Sequence, residues 1–235
     1  MTGNSQLVLV PGLLCSEKLW EAQTENLSDI AEIVVADMTQ DDTMEGMAGR
    51  VLDAADGMFS LAGLSMGGYV ALEVMRRAPE RIERLALLDT GARADTPEQT
   101  TRRRDLIALA DRGEFRAVSP RLLPMFVHPD RLSDGDLVGD ISEMAESVGK
   151  DAFLRQQHAI MHRPDSRPGL ADITCPTLVL CGREDVLTPP ELSEEIAEGV
   201  PGAELILIDR CGHLSTMERP EEVNAVLRAW LGRTN

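Results

Sequence analysis

With 235 residues, 43% of them hydrophobic and 27% charged, the chain has the composition of a globular protein with one main domain, which excludes a disordered or fibrous chain. A formal net charge of −17 opposes long-range attraction to phosphate backbones and anionic lipid, so neither nucleic acid nor a membrane is an expected partner. Four cysteines without metal-binding or disulfide-framework spacing, no run of membrane-spanning length and no basic segment before the first apolar run read as a reduced, cytoplasmic protein.

The chain opens with an apolar run over 7–10 that predicts a strand and ends in Pro11-Gly12. A helical pattern over 19–27 and a second strand over 33–36 follow, then a helix over 44–55 and a strand over 59–62. Next comes GLSMG, with Ser65 between Gly63 and Gly67, and directly after it a helix over 66–77 and a strand over 85–88. Apolar strands alternating with helices predict a parallel sheet covered on both faces, an α/β architecture.

That rhythm then stops for more than eighty residues. The interval carries helical patterns over 100–110, 115–126, 134–148 and 152–162, too long for a crossover connection and expected to form a helical cap. The rhythm resumes with a strand over 177–180, a helix over 191–198, a strand over 205–208 and a helix over 221–231. The expected division is therefore a core of 1–92 and 173–235, with 93–172 inserted as the cap. Arg102, Arg103 and Arg104 are expected to form a solvated helix face.

A serine on a sharp strand-to-helix turn has its hydroxyl projected and a backbone N–H beside it at a helix N-terminus, here that of Met66. The hydroxyl becomes a nucleophile only when a base takes its proton and an acid fixes that base. Of the four histidines, His128, His158 and His162 fall in the expected cap, whereas His213 follows the last strand in IDRCGH. Asp185, in GREDVLTP after the preceding strand, is the expected acid, ahead of its neighbour Glu184 and of Asp89 after the strand over 85–88.

The order Ser65, Asp185, His213, carried by the GLSMG, GREDVLTP and CGH segments, resembles the α/β-hydrolase superfamily. Within it, RRRDLIALADRGEF and FLRQQHAIMHRPDSRPGL are similar to stretches of small capped carboxylesterases and 3-oxoadipate enol-lactonases. The resemblance implies an α/β-hydrolase fold with about six mostly parallel strands, flanked by helices, under a helical cap. It also implies an oxyanion hole made by the N–H groups of Leu13 and Met66. Two departures stand out. Pro11-Gly12 replaces the usual His-Gly, and the first strand starts near Gln6 without the usual β-hairpin, leaving a sheet edge that offers a homodimer contact.

The expected activity is that of a serine hydrolase cleaving a small carboxylic ester or lactone with water, needing neither metal nor organic cofactor. C–C bond hydrolysis or perhydrolysis by the same triad and a slow-turnover ligand receptor are the alternatives. Leu13, Leu14, Met66, Leu187, Met125, Phe126 and Met161 are candidates for an apolar pocket wall, with cap core as the competing role for the Met and Phe residues. Gln156, Gln157 and His158 either touch a polar or anionic substrate or form an exposed polar face.

Overall fold

A computed structural model of the protein describes residues 5–233. Its strands are β1 (Ser5–Val10), β2 (Ala31–Val35), β3 (Phe59–Leu64), β4 (Ile82–Leu88), β5 (Thr177–Gly182) and β6 (Glu204–Ile208). They form one sheet in the order β2-β1-β3-β4-β5-β6, and every pairing is parallel. The central strands β3 and β5 are buried along their whole length, which is why their sequences read as continuous apolar runs.

Alternate residues of each strand feed two cores. Leu7, Leu9, Ala62, Leu64 and Leu88 face one side, where α1 (Glu21–Leu27) and α9 (Pro220–Leu231) pack. Val8, Val10, Leu61, Leu85 and Leu87 face the other, under α2 (Met44–Asp53), α3 (Met66–Arg77) and α7 (Pro190–Gly199). In α9 the spacing of Val223, Leu227 and Trp230 puts all three into the core, each burial contributing about 1.5–3 kcal/mol.

Between β4 and β5 run α4 (Pro97–Leu109), α5 (Val118–Phe126) and α6 (Gly135–Met161). Thr96 starts α4 with a reciprocal cap, its hydroxyl accepting from the Gln99 N–H and the Gln99 side chain accepting from its own N–H. The two helices expected over 134–148 and 152–162 run on as α6, divided at Gly149, where φ is 80° and ψ 170°. A residue with φ in that range favours glycine, so the division falls where the sequence puts one.

These helices sit over the carboxyl ends of the strands. Gln156 of α6 accepts from the Leu14 N–H (3.0 Å) after β1 and donates to the Met38 carbonyl (3.1 Å) after β2. Arg155 adds a bond to the Thr39 carbonyl. At the end of α5, the Phe126 carbonyl accepts from the N–H groups of His213 and Leu214 after β6, both at 3.0 Å. The helical layer is thereby fastened to three strand-end loops. Among the described residues no helix is long and apolar enough to cross a membrane.

Candidate active site

The turn between β3 and α3 holds a non-glycine residue at positive φ. Ser65 has φ 56° and ψ −114°, a conformation costing a non-glycine residue on the order of 1–3 kcal/mol. Its surroundings hold it there. The Ser65 N–H donates to the Leu88 carbonyl (2.9 Å), and its carbonyl accepts from the Gly68 N–H (2.9 Å), the Tyr69 N–H (3.3 Å) and the Thr90 hydroxyl (2.7 Å).

The flanking glycines are a packing requirement. A Cβ on Gly67 would lie 2.1 Å from the Val10 carbonyl oxygen, and one on Gly63 2.2 Å from that of Gly67. Only bare backbone lets α3 start this close to β1 and β3.

Ser65 Oγ is 2.8 Å from His213 Nε2, and His213 Nδ1 is 2.7 Å from Asp185 Oδ2. Three segments, up to 148 residues apart, thus converge on one hydrogen-bonded line. Asp185 is fixed by its own turn, its Oδ1 accepting from the N–H groups of Leu187 (2.8 Å) and Thr188 (3.0 Å) and its Oδ2 from the Thr188 hydroxyl (2.8 Å). Because an ionised carboxylate only accepts, the imidazole proton belongs on Nδ1, which leaves Nε2 to accept from Ser65.

His213 and Asp185 are buried, and Phe126 stacks on the imidazole at 6.0 Å and 19°. Burial works against the imidazolium, but the charge and hydrogen bond of Asp185, with the nearby Asp89 and Glu218, together hold His213 above its ordinary pKa. The loop carrying His213 is braced a second time by Glu218, whose carboxylate accepts from the N–H groups of Gly212 (2.9 Å) and His128 (2.7 Å).

Asp89, the rival acid, makes no hydrogen bond to the imidazole. Its Oδ1 accepts from the Gly182 N–H (2.8 Å) and its Oδ2 from the Ser215 hydroxyl, so one carboxyl ties the end of β5 to the loop after β6. Burial, and then the nearby Asp185 charge, push its pKa up to about 8. Since it holds a proton in the folded state that the unfolded chain releases near pH 4, its contribution to stability falls as pH rises from about 4 to 8.

Asp89→Asn, which copies the protonated group, is therefore expected to keep the fold and flatten that part of the stability-against-pH curve. Asp89→Ala, which leaves Gly182 and Ser215 without partners, is expected to cost about 1–3 kcal/mol for each group left unpaired. Chemical denaturation of both variants between pH 5 and about pH 8 checks the pair.

The ligating atoms of Asp89, Cys181 and Asp185 lie within 4.8 Å of one another. They suit a cation poorly. Both carboxylates are already taken by N–H and O–H donors, and burial raises the Cys181 thiol far above its usual pKa, keeping it protonated.

Leu13 follows β1 in a turn closed by Cys15 N–H donating to the Gly12 carbonyl (3.2 Å), with Leu14 at φ 59°. With Pro11 in place of histidine, the Gln156 bond to Leu14 holds this turn from outside. The N–H of Leu13, and that of Met66 at the start of α3, donate to no acceptor among the described loops and caps.

Ser65 and His213 open on a cavity of about 770 Å³, its open mouth included. Leu13, Leu187, Met125 and Phe126 line it, whereas Met66 is buried under the sheet, Leu14 faces a separate hollow and Met161 lies outside the cavity. Gln157 lines it too. Gln156 is instead wholly buried in the clamp on Leu14 and Met38, and His158 is exposed and bonded to the Asp42 carbonyl (2.9 Å).

The arginine run is not a uniformly solvated face, because α4 runs along the cavity rather than outside it. Arg102 and Arg104 are exposed as expected, but Arg102 and Arg103 both line the wall, and the Arg103 side chain is only 17% exposed.

Sequence reasoning missed Thr188, although a threonine three residues after Asp185 is the signature of a turn in which the aspartate caps its own loop. It also missed the clamp by Gln156. No local signal marks that contact, which spans 142 residues.

Residues 7–226 match the family described as the alpha/beta hydrolase family. The chain is 31% identical to RutD of Serratia proteamaculans, a proposed carbamate hydrolase, over 97% of this chain and 91% of that one. It is also 31% identical to a thermophilic esterase from Thermogutta terrifontis with malate bound, covering 97% and 89% of the two chains with a TM-score of 0.88. The enol-lactonase of Burkholderia xenovorans LB400 shares the fold, with a TM-score of 0.89, 24% identity and coverage of 98% and 93%.

Proposed function

Because the chain belongs to the alpha/beta hydrolase family, we propose that it is a serine hydrolase of small carboxylic esters or lactones, with Ser65 as nucleophile, His213 as base and Asp185 as the acid that orients it. The observation that carries this reading is the unbroken line from Ser65 Oγ through His213 to Asp185, at 2.8 and 2.7 Å, opening on a cavity.

Ser65 Oγ attacks the carbonyl carbon while its proton passes to His213 Nε2. The resulting oxyanion is held by the N–H groups of Leu13 and Met66, for which one donor contributes about 3 kcal/mol in the transition state. The tetrahedral intermediate collapses, the alcohol leaves with the proton from His213, and the acyl group stays on Ser65. Water, losing its proton to the same nitrogen, then attacks the acyl carbonyl, and the acid departs as Oγ takes the proton back. A lactone follows the same steps with its alcohol still attached to the acyl chain. The carbamate of the RutD name presents the same kind of carbonyl.

The test is covalent. A fluorophosphonate should form an Oγ–P bond with loss of fluoride, and peptide mass spectrometry should place the added mass on the peptide containing Ser65. Labelling elsewhere, or none in a protein that hydrolyses 4-nitrophenyl esters, removes Ser65 from the reaction.

A further inference from the structure

The cap side of the cavity holds a group of charges that the chemistry at Ser65 does not use. Asp95, 1% exposed at its side chain, is shared by Arg103 (2.9 Å) and Arg163, and Arg163 lies over the ring of Tyr69 at 4.2 Å. Tyr69 and Arg103 both line the cavity. Arg102 lines it as well, and among the described residues it has no hydrogen-bond or ion-pair partner. Glu98 and Asp105 lie one turn away from it on α4, and neither is paired with it. Arg103 and Arg163 thus share the one buried carboxylate of Asp95, and the exposed Arg102 adds a third guanidinium at the cavity wall in a chain whose net charge is −17.

An independent observation comes from Gln157. It is wholly buried, its Oε1 accepts from Arg103 (3.0 Å), and its Nε2 has no partner. Turning the amide over would set its NH₂ against the Arg103 guanidinium, so the donor end stays the free one. A buried donor without an acceptor is costly, and a ligand supplying an acceptor would recover that cost.

We propose that Arg102 and Gln157 form a carboxylate subsite in the catalytic cavity, and that the preferred substrate is an ester or lactone bearing a free carboxylate. One uncompensated guanidinium fork and one amide N–H match the two acceptor oxygens and single charge of a carboxylate. A phosphate dianion would need more positive charge than this wall leaves uncompensated. The inference rests on the serine hydrolase reading and adds the substrate's chemical class.

The test compares mono-4-nitrophenyl glutarate with 4-nitrophenyl 5-methylhexanoate, in which an isopropyl group stands for the carboxylate. The protein should favour the glutarate at least about tenfold in kcat/KM, mainly through KM, and the preference should shrink as salt screens the charge. Arg102→Ala should lower that ratio about tenfold, Arg102→Glu should invert it, and Gln157→Leu should lower it too.

Calorimetric binding of glutarate to Ser65→Ala gives a reading that needs no turnover, and Arg102→Glu in that background should abolish it. A ratio near one that Arg102→Glu leaves unmoved, with no glutarate binding, overturns the subsite while Ser65-dependent hydrolysis keeps the parent reading. Loss of Ser65 labelling with glutarate binding retained overturns the parent reading alone.

Discussion

Ser65→Ala is expected to lower kcat for 4-nitrophenyl ester hydrolysis on the order of 10⁶-fold and to abolish fluorophosphonate labelling, with circular dichroism unchanged. The size follows from the role. Without Oγ no acyl-enzyme forms, and only the oxyanion donors and the binding cavity remain to favour attack by water. The fold should be unaffected, because what holds the turn is backbone: Ser65 N–H to the Leu88 carbonyl, and the Ser65 carbonyl with Gly68, Tyr69 and Thr90. Alanine keeps the strain of φ 56°, whereas Ser65→Gly releases it. The glycine variant should be equally inactive and more stable than the alanine variant by about 1 kcal/mol, measured by denaturant unfolding. Turnover surviving in either variant at more than a trace contradicts the assignment.

Asp185→Asn is expected to lower kcat about 10⁴-fold, because the amide can turn an N–H toward His213 Nδ1 and move the imidazole proton to Nε2. In that tautomer nothing accepts the proton of Ser65. The pH profile carries a second, separable expectation. Asp185 holds the His213 pKa above its ordinary value, and His213 acts as a base only when neutral, so the acid limb of kcat/KM should lie above about pH 6.5 in the natural protein. Once the carboxylate is gone, burial dominates and pushes that pKa down, so the limb of the residual activity should move to lower pH. An acid limb that stays in place would mean that another group controls the imidazole, and Asp89 is the neighbour to examine next.

Ser65, Asp185 and His213 were legible because each sits where local chemistry leaves a mark. Ser65 stands between glycines at a strand-to-helix switch, Asp185 opens a turn after an apolar strand, and His213 follows a glycine after the last one. The sheet was legible for the same reason, since burial on both faces writes a strand as an unbroken apolar run. The helices between β4 and β5 were legible only in outline. They appear as periodic segments parted at Gly149, but nothing local says how they are seated over the sheet or that Arg103 turns toward the cavity.

Gln156, Gln157 and His158 show the limit most clearly. They are consecutive on one helix, and the polar pattern offered one fate for all three. The structure gives each a different one: a clamp on the loop after β1, a place in the cavity wall, and an exposed contact with the Asp42 carbonyl. Successive helical residues point about 100° apart, so what each meets depends on how the helix is seated over the sheet.

The sequence alone determined the α/β alternation and the turns that present Ser65, Asp185 and His213, because periodicity and turn preference act over a few residues. Only the tertiary structure decided that these side chains meet within hydrogen-bond reach, that Asp89 and Glu218 tie the loops around them, and that Arg102 is left unpaired at the cavity. Those contacts depend on packing between segments far apart in the chain, and local propensity carries no record of that distance.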